Sequence, residues 1–140
     1  MDRSEIKKFA DALMQMPGMT MGDNENCPLK HHFTEGIYCR EIFMPAGIVC
    51  VGKIHKHDHP NFLMKGRVTF VTEDGGMEEV TAPRIMMSPA GTQRAVYVHE
   101  DTVWVTVHAN PDNEKNIDKI EEFVITKSHD EIFESIKELP

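Results

Sequence analysis

Between residues 37 and 109, apolar and polar positions alternate in short runs, each broken by residues that turn a chain. The runs cover 37–44, 48–55, 62–70, 77–81, 84–88, 94–98 and 102–109, and they are rich in the β-branched and aromatic residues that fit a pleated, half-buried surface. Between them stand Pro45-Ala46-Gly47, His59-Pro60-Asn61, Glu73-Asp74-Gly75-Gly76, Ala82-Pro83, Pro89-Ala90-Gly91 and Glu100-Asp101. In these, Pro presets φ or Gly permits the positive φ that tight turns need. Seven short strands with close connections predict an all-β sandwich or barrel. The Glu73-Asp74-Gly75-Gly76 tetrad is explained by hairpin chemistry and is not read as a pair of working carboxylates.

The flanks carry a different period. At 2–16, Asp2 and Glu5 precede apolar residues Ile6, Phe9, Ala10, Leu13 and Met14, the spacing of one helical face, and Pro17-Gly18 ends it. Residues 18–33 mix Gly, Asn, Pro and Met without a period and predict a loop or extended arm, packed either across a neighbouring subunit or over its own barrel. After Asn110 a polar stretch leads to 120–126, expected as a further strand, and then to 128–139. There Ser128 and Glu131 form a capping box, and Ile132, Phe133, Ile136 and Leu139 form one stripe of a short helix. The expected organisation is an N-terminal helix and arm over 1–36, a β-barrel over 37–110, and a strand and helix extension over 111–140.

Length and charge narrow the function. A chain of 140 residues supports one core and hence one principal site. A formal net charge of −8 argues against nucleic acid, whose phosphates need clustered Lys and Arg, and leaves small molecules or other proteins as partners. Cys27, Cys39 and Cys50 are an odd, unpaired set, as in a reducing compartment. No apolar run reaches the roughly 18–20 residues that span a bilayer, and 1–16 lacks the core of a signal peptide. A soluble, cytoplasmic homo-oligomer without membrane contact is the expectation, its amphipathic ends supplying the apolar surface for assembly.

Two segments carry a resemblance. Residues 45–66 read PAGIVCVGKIHKHDHPNFLMKG, and 85–94 read IMMSPAGTQR. They resemble the two motifs of the cupin superfamily, which implies a double-stranded β-helix, or jelly-roll barrel, with short terminal helices here. The first family motif runs Gly, five residues, His, one residue, His, three or four residues, Glu, six residues, Gly. Aligned on Gly47 and Gly66, it places its two His and its Glu on Lys53, His55 and His59. In the second motif Pro89 and Gly91 match, while the family's third His falls on Arg94 and its closing Asn on Val98. Half of the usual metal shell is therefore exchanged. The stretches HKHDHPN and SPAGTQR also resemble small cupin-like proteins encoded by tailed bacteriophages, which would place the protein in the host cytoplasm or the virion.

On their own chemistry, His55, His57 and His59 share parity. If the strand runs straight, all three imidazoles face one side and suit a divalent transition metal such as Zn, Fe, Ni, Cu or Mn, with Asn61 or water completing the shell. If Asp58 and Pro60 bend the chain, His57 faces solvent while His55 and His59 face inward. Lys53 and Arg94 disfavour a cation and favour a small carboxylate or phosphate, which Arg binds with a planar fork. The bland reading turns Lys53 outward and pairs Arg94 with Glu41 or Glu100 at the rim. Lys53, Arg94 and Trp104 are the candidate ligand-binding residues, and His55, His57 and His59 the candidate metal ligands. On 102–109, Trp104, Thr106 and His108 oppose Val103, Val105 and Val107; with the valines taken to line the barrel, His108 is exposed. His31, His32, His99 and His129 read as surface residues of loops or termini. Two functions compete: a metal-dependent cupin acting on a small molecule, and a non-catalytic sensing or structural cupin with a degraded metal site.

Overall fold

The computed structural model describes residues 19–20, 27–52, 54–72 and 76–125. The helices expected at 2–16 and 128–139, the hairpin tip at 73–75 and Lys53 lie outside the described residues.

Among the described residues ten strands form two five-stranded sheets. One sheet runs β1 (Met19–Thr20), β4 (Val49–Val51), β9 (Arg94–Val98), β6 (Arg67–Thr72), β7 (Gly76–Thr81). The other runs β2 (Leu29–Thr34), β3 (Ile37–Met44), β10 (Thr102–Ala109), β5 (His59–Lys65), β8 (Arg84–Ser88). Pairing is antiparallel except between β1 and β4. The inward residues of both sheets meet in one apolar core, with Ile42, Leu63, Met86 and Trp104 from one sheet against Cys50, Val68, Phe70, Val96 and Val98 from the other. This is a jelly-roll sandwich. No helix among the described residues is long and apolar enough to cross a membrane.

Several elements depart from the expectations drawn from sequence, and of the described residues in the run at 48–55 only Val49–Val51 is strand. Within the supposed loop of 18–33, Leu29–Thr34 is an edge strand in register with β3, from Leu29 opposite Ile42 to Thr34 opposite Ile37. Its side chains show little alternation because of that segment only Leu29 packs on the main core, while ladder hydrogen bonds hold the rest. The single run at 62–70 is two strands in different sheets, and the first begins at His59, so His59-Pro60-Asn61 is strand and not turn. Gly66 makes the break at φ +100, where an added Cβ would lie 2.6 Å from the Asp101 carbonyl oxygen and closer still to Thr102 Oγ1. The segment expected as a strand at 120–126 is mostly helix, α1 (Ile117–Val124), capped by the Asn116 side chain, which accepts from the Asp118 and Lys119 amides. Ile117, Ile120 and Val124 recur at helical spacing and pack with Ile125 on Tyr38.

Register sorts the interior into layers. Across β3 and β10, Tyr38 faces His108, Arg40 faces Thr106, Ile42 faces Trp104 and Met44 faces Thr102. On β5, Asn61 joins Thr106 and Leu63 joins Trp104. In the facing sheet, Val96 lies between Cys50 and Phe70, and Val98 beside Val68. The barrel is thus polar at one end and apolar at the other. On β10 the inward face is Thr102, Trp104, Thr106 and His108, all buried, while the valines are only half-buried on the outside. The expected exposure of His108 is overturned: the second sheet packs on the side of Trp104, so that face of β10 turns in and carries His108 with it.

Candidate functional site

A cavity of about 90 Å3 lies between the sheets and is lined from the polar layers of Arg40 and Arg94 to the apolar layers of Ile42, Met44 and Val96. One water needs about 10–15 Å3 of such space, so the cavity takes a molecule of several atoms and not merely an ion. Its charged and aromatic lining comes from Arg40 on β3, His55 before β5, His59 on β5, Arg94 on β9 and Trp104 on β10. None of its described lining residues is Asp or Glu.

The imidazoles of His55, His59 and His108 cluster. His55 and His59 lie with ring centroids 4.0 Å apart, and His108 joins them at 5.0 Å from His55 and 5.2 Å from His59. His57 leaves the set: the chain bends at 56–57, and its exposed ring packs 5.0 Å from that of Phe123 on α1. His55 is held by a bridge to Ile125, so α1 and its exit help position the cluster. Burial, with the neighbouring His59 and His108, pushes the His55 pKa down to about 2. Burial and His59 push His108 down to about 3. Burial also lowers that of His59, although its Nδ1 is 3.2 Å from the His57 carbonyl oxygen and so donates to it. At neutral pH all are uncharged rings.

Among the described residues no group of three His, Cys, Asp or Glu side chains is placed to hold an ion. His108 Nε2 is bonded to Thr106 Oγ1 at 2.9 Å, and the Arg94 charge acts on both His55 and His59. Asn61, a candidate to complete a shell, is committed elsewhere. It accepts from Trp104 Nε1–H at 3.0 Å and donates to Ser88 Oγ at 2.7 Å.

Arg94 points inward and not to the rim. Its Nη1–H donates to Ser88 Oγ, its guanidinium carbon lies 5.3 Å from the centre of the Phe70 ring, and its buried Nε–H has no partner among the described residues. The rim carboxylates go to other partners: Glu100 to Arg67, and Glu41 to Lys30 and the His32 ring. Trp104 is buried in the cavity wall, its N–H satisfied by Asn61, so it offers ring surface. Arg40, Asn61, Ser88 and His108 complete the site. Arg40 was the hardest to foresee, yet it shares inward parity with Tyr38, Ile42 and Met44. Of the other histidines expected at the surface, His31 is half-buried on β2, 2.6 Å from the Tyr38 hydroxyl, and His99 bonds Thr69.

No family model and no curated protein matches this chain in sequence. Solved structures do match in shape. An RmlC-like cupin with a double-stranded β-helix from Methanocaldococcus jannaschii shares 17% identity over 64% of this chain and 86% of its own, with a TM-score of 0.52. KdgF from Halomonas sp. shares 13% over 70% and 88%, with a TM-score of 0.54. Ectoine synthase from P. lautus shares 12% over 61% and 64%, with a TM-score of 0.53. The chain has the cupin fold, the double-stranded β-helix. That fold also serves enzymes, as the synthase shows, and at these identities the likeness reaches no further than architecture.

Proposed function

We propose that this protein is a cupin whose barrel pocket binds a small anionic molecule, anchored by Arg94 with Arg40 beside it. The observation that carries the reading is the buried Nε–H of Arg94, without a partner among the described residues, in a cavity whose described lining holds no carboxylate. Leaving a buried donor unmade costs about 1–3 kcal/mol, more when charged, and a carboxylate or phosphate oxygen supplies the missing acceptor. Neutral imidazoles beside it donate or accept hydrogen bonds without adding charge. With conjugate-acid pKa values of about 2 and 3, His55 and His108 are weak proton acceptors at neutral pH, which favours binding over acid–base catalysis.

The test is a thermal melt of the full chain in chloride buffer with graded acetate or inorganic phosphate. A concentration-dependent rise is expected, equivalent to about 2.7 kcal/mol at one hundred times Kd. Arg94→Gln is expected to abolish it. An unchanged melt in the unmodified protein, or an equal rise in R94Q, overturns the reading. Elemental analysis of tag-free protein supplies the competing outcome: one transition metal per chain, lost in a His55→Ala, His59→Ala double variant, would replace the anion with an ion.

A second reading, assembly, is favoured by the outer face of β5 and β8. Met64, Ile85 and Met87 there are 61%, 61% and 70% exposed, and Phe62 pairs with Ile85 beside them. Such contiguous apolar surface suits a second copy of this chain. Light scattering is expected to show a dimer or larger assembly that Met87→Glu dissociates, and a monomeric unmodified protein would sink this reading.

A further inference from the structure

Resting on the anion reading of the same pocket, the register points to a ligand class: we infer that the pocket takes a small amphipathic carboxylate, acid group at the Arg94 end and hydrocarbon tail directed down the barrel. Four observations place the two halves. The inward positions change from charged to apolar along single strands, from Arg40 to Ile42 and Met44 on β3 and from Arg94 to Val96 on β9. Level with Arg40, Asn61 already binds Trp104 and Ser88 and the Thr106 hydroxyl is bonded to His108, so these two polar side chains are taken up before a tail reaches the apolar layers beneath. Trp104, whose N–H is satisfied, presents ring surface to the cavity. Cys50, opposite Val96 in the same layer, is a neutral thiol, its pKa pushed up to about 12 by burial, so it does not repel a tail or supply a charge.

A polyhydroxylated acid fits this interior badly, since its hydroxyls would lose water and find apolar walls. An alkyl tail gains from the same walls. The chemistry is that of short aliphatic acids.

Calorimetric titration of the full chain with acetate, butanoate and hexanoate, beside gluconate and inorganic phosphate, tests this. Affinity is expected to rise on the order of fourfold for each methylene that enters the apolar layers. Gluconate is expected to bind no better than acetate. Val96→Thr, which places a hydroxyl in the middle layer at nearly constant shape, is expected to flatten the dependence on chain length. Binding of acetate and phosphate with no gain along the series, or tighter binding of gluconate, overturns the amphipathic ligand and leaves the anion reading standing. If no anion binds and R94Q behaves as the unmodified protein, both fall.

Discussion

Asn61 shows how one side chain can tie the walls of a site together. Its oxygen takes the Trp104 indole N–H and its amide nitrogen reaches Ser88, whose hydroxyl oxygen also receives Arg94. The buried aromatic and the buried cation are thereby set against each other through two small polar groups. Replacing Asn61 by Leu, of similar volume, leaves the indole donor and the Ser88 hydroxyl short of a partner. A loss of about 2–3 kcal/mol in urea unfolding is expected. Arg94→Gln should behave oppositely in the ligand-free protein: removing a buried cation whose Nε–H is unpaired is expected to leave the melting temperature unchanged or raise it, while the response to anions disappears. A large destabilisation of ligand-free R94Q would mean that the guanidinium serves the fold.

Among the elements, the hinge between β5 and β6 decides which sheet each strand joins. Gly66 holds φ +100 against the Asp101–Thr102 backbone, and every L side chain there is strained by its dihedral and by contact. Gly66→Ala is expected to cost about 2 kcal/mol or more, read as a lower denaturation midpoint at an unchanged m value. Gly36→Ala, with similar φ but open space around its Cβ, serves as the control and should cost less. Helix α1 has a positional part. It buries Ile120 and Val124 on Tyr38, and its exit at Ile125 bridges His55, so the helix fixes one wall of the imidazole cluster.

For the molecule as a whole, the buried imidazoles make stability depend on acidity. His55 and His108 titrate near 2 and 3 when folded against 6.5 in an unfolded chain. Above pH 6.5 neither state binds these protons and the two groups leave stability flat. Below it the unfolded chain takes up protons that the folded barrel refuses, so stability falls with falling pH, by up to about 1.4 kcal/mol per unit for each group. The melting temperature is therefore expected to drop steeply from pH 6.5 to 4. His108→Asn should shallow that slope, and a melt flat across this window would show that the rings are solvated.

The alternation of residues between 37 and 109, with its turn signals, already dictated an all-β barrel, because period-two patterning and Pro or Gly at breaks act locally. The strands at 37–44, 84–88, 94–98 and 102–109 coincide with their runs for that reason. Inward facing of Arg94, His55 and His59 was legible as one of two readings, since the cupin-like motifs aligned those positions. What the chain could not decide locally was the face of β10, where Trp104, Thr106 and His108 compete with three valines on equal alternation. Only the second sheet, packed on one side, selects between them. The same holds for Leu29–Thr34, a strand through its neighbour's hydrogen bonds, and for Ile117–Val124, a helix through its footing on Tyr38. His57 went outward because a bend at 56–57 broke the parity that would have aligned it, while His108 arrived from a strand some fifty residues away; convergence of that kind is a property of tertiary packing, which brings together side chains whose spacing along the chain carries no trace of their contact.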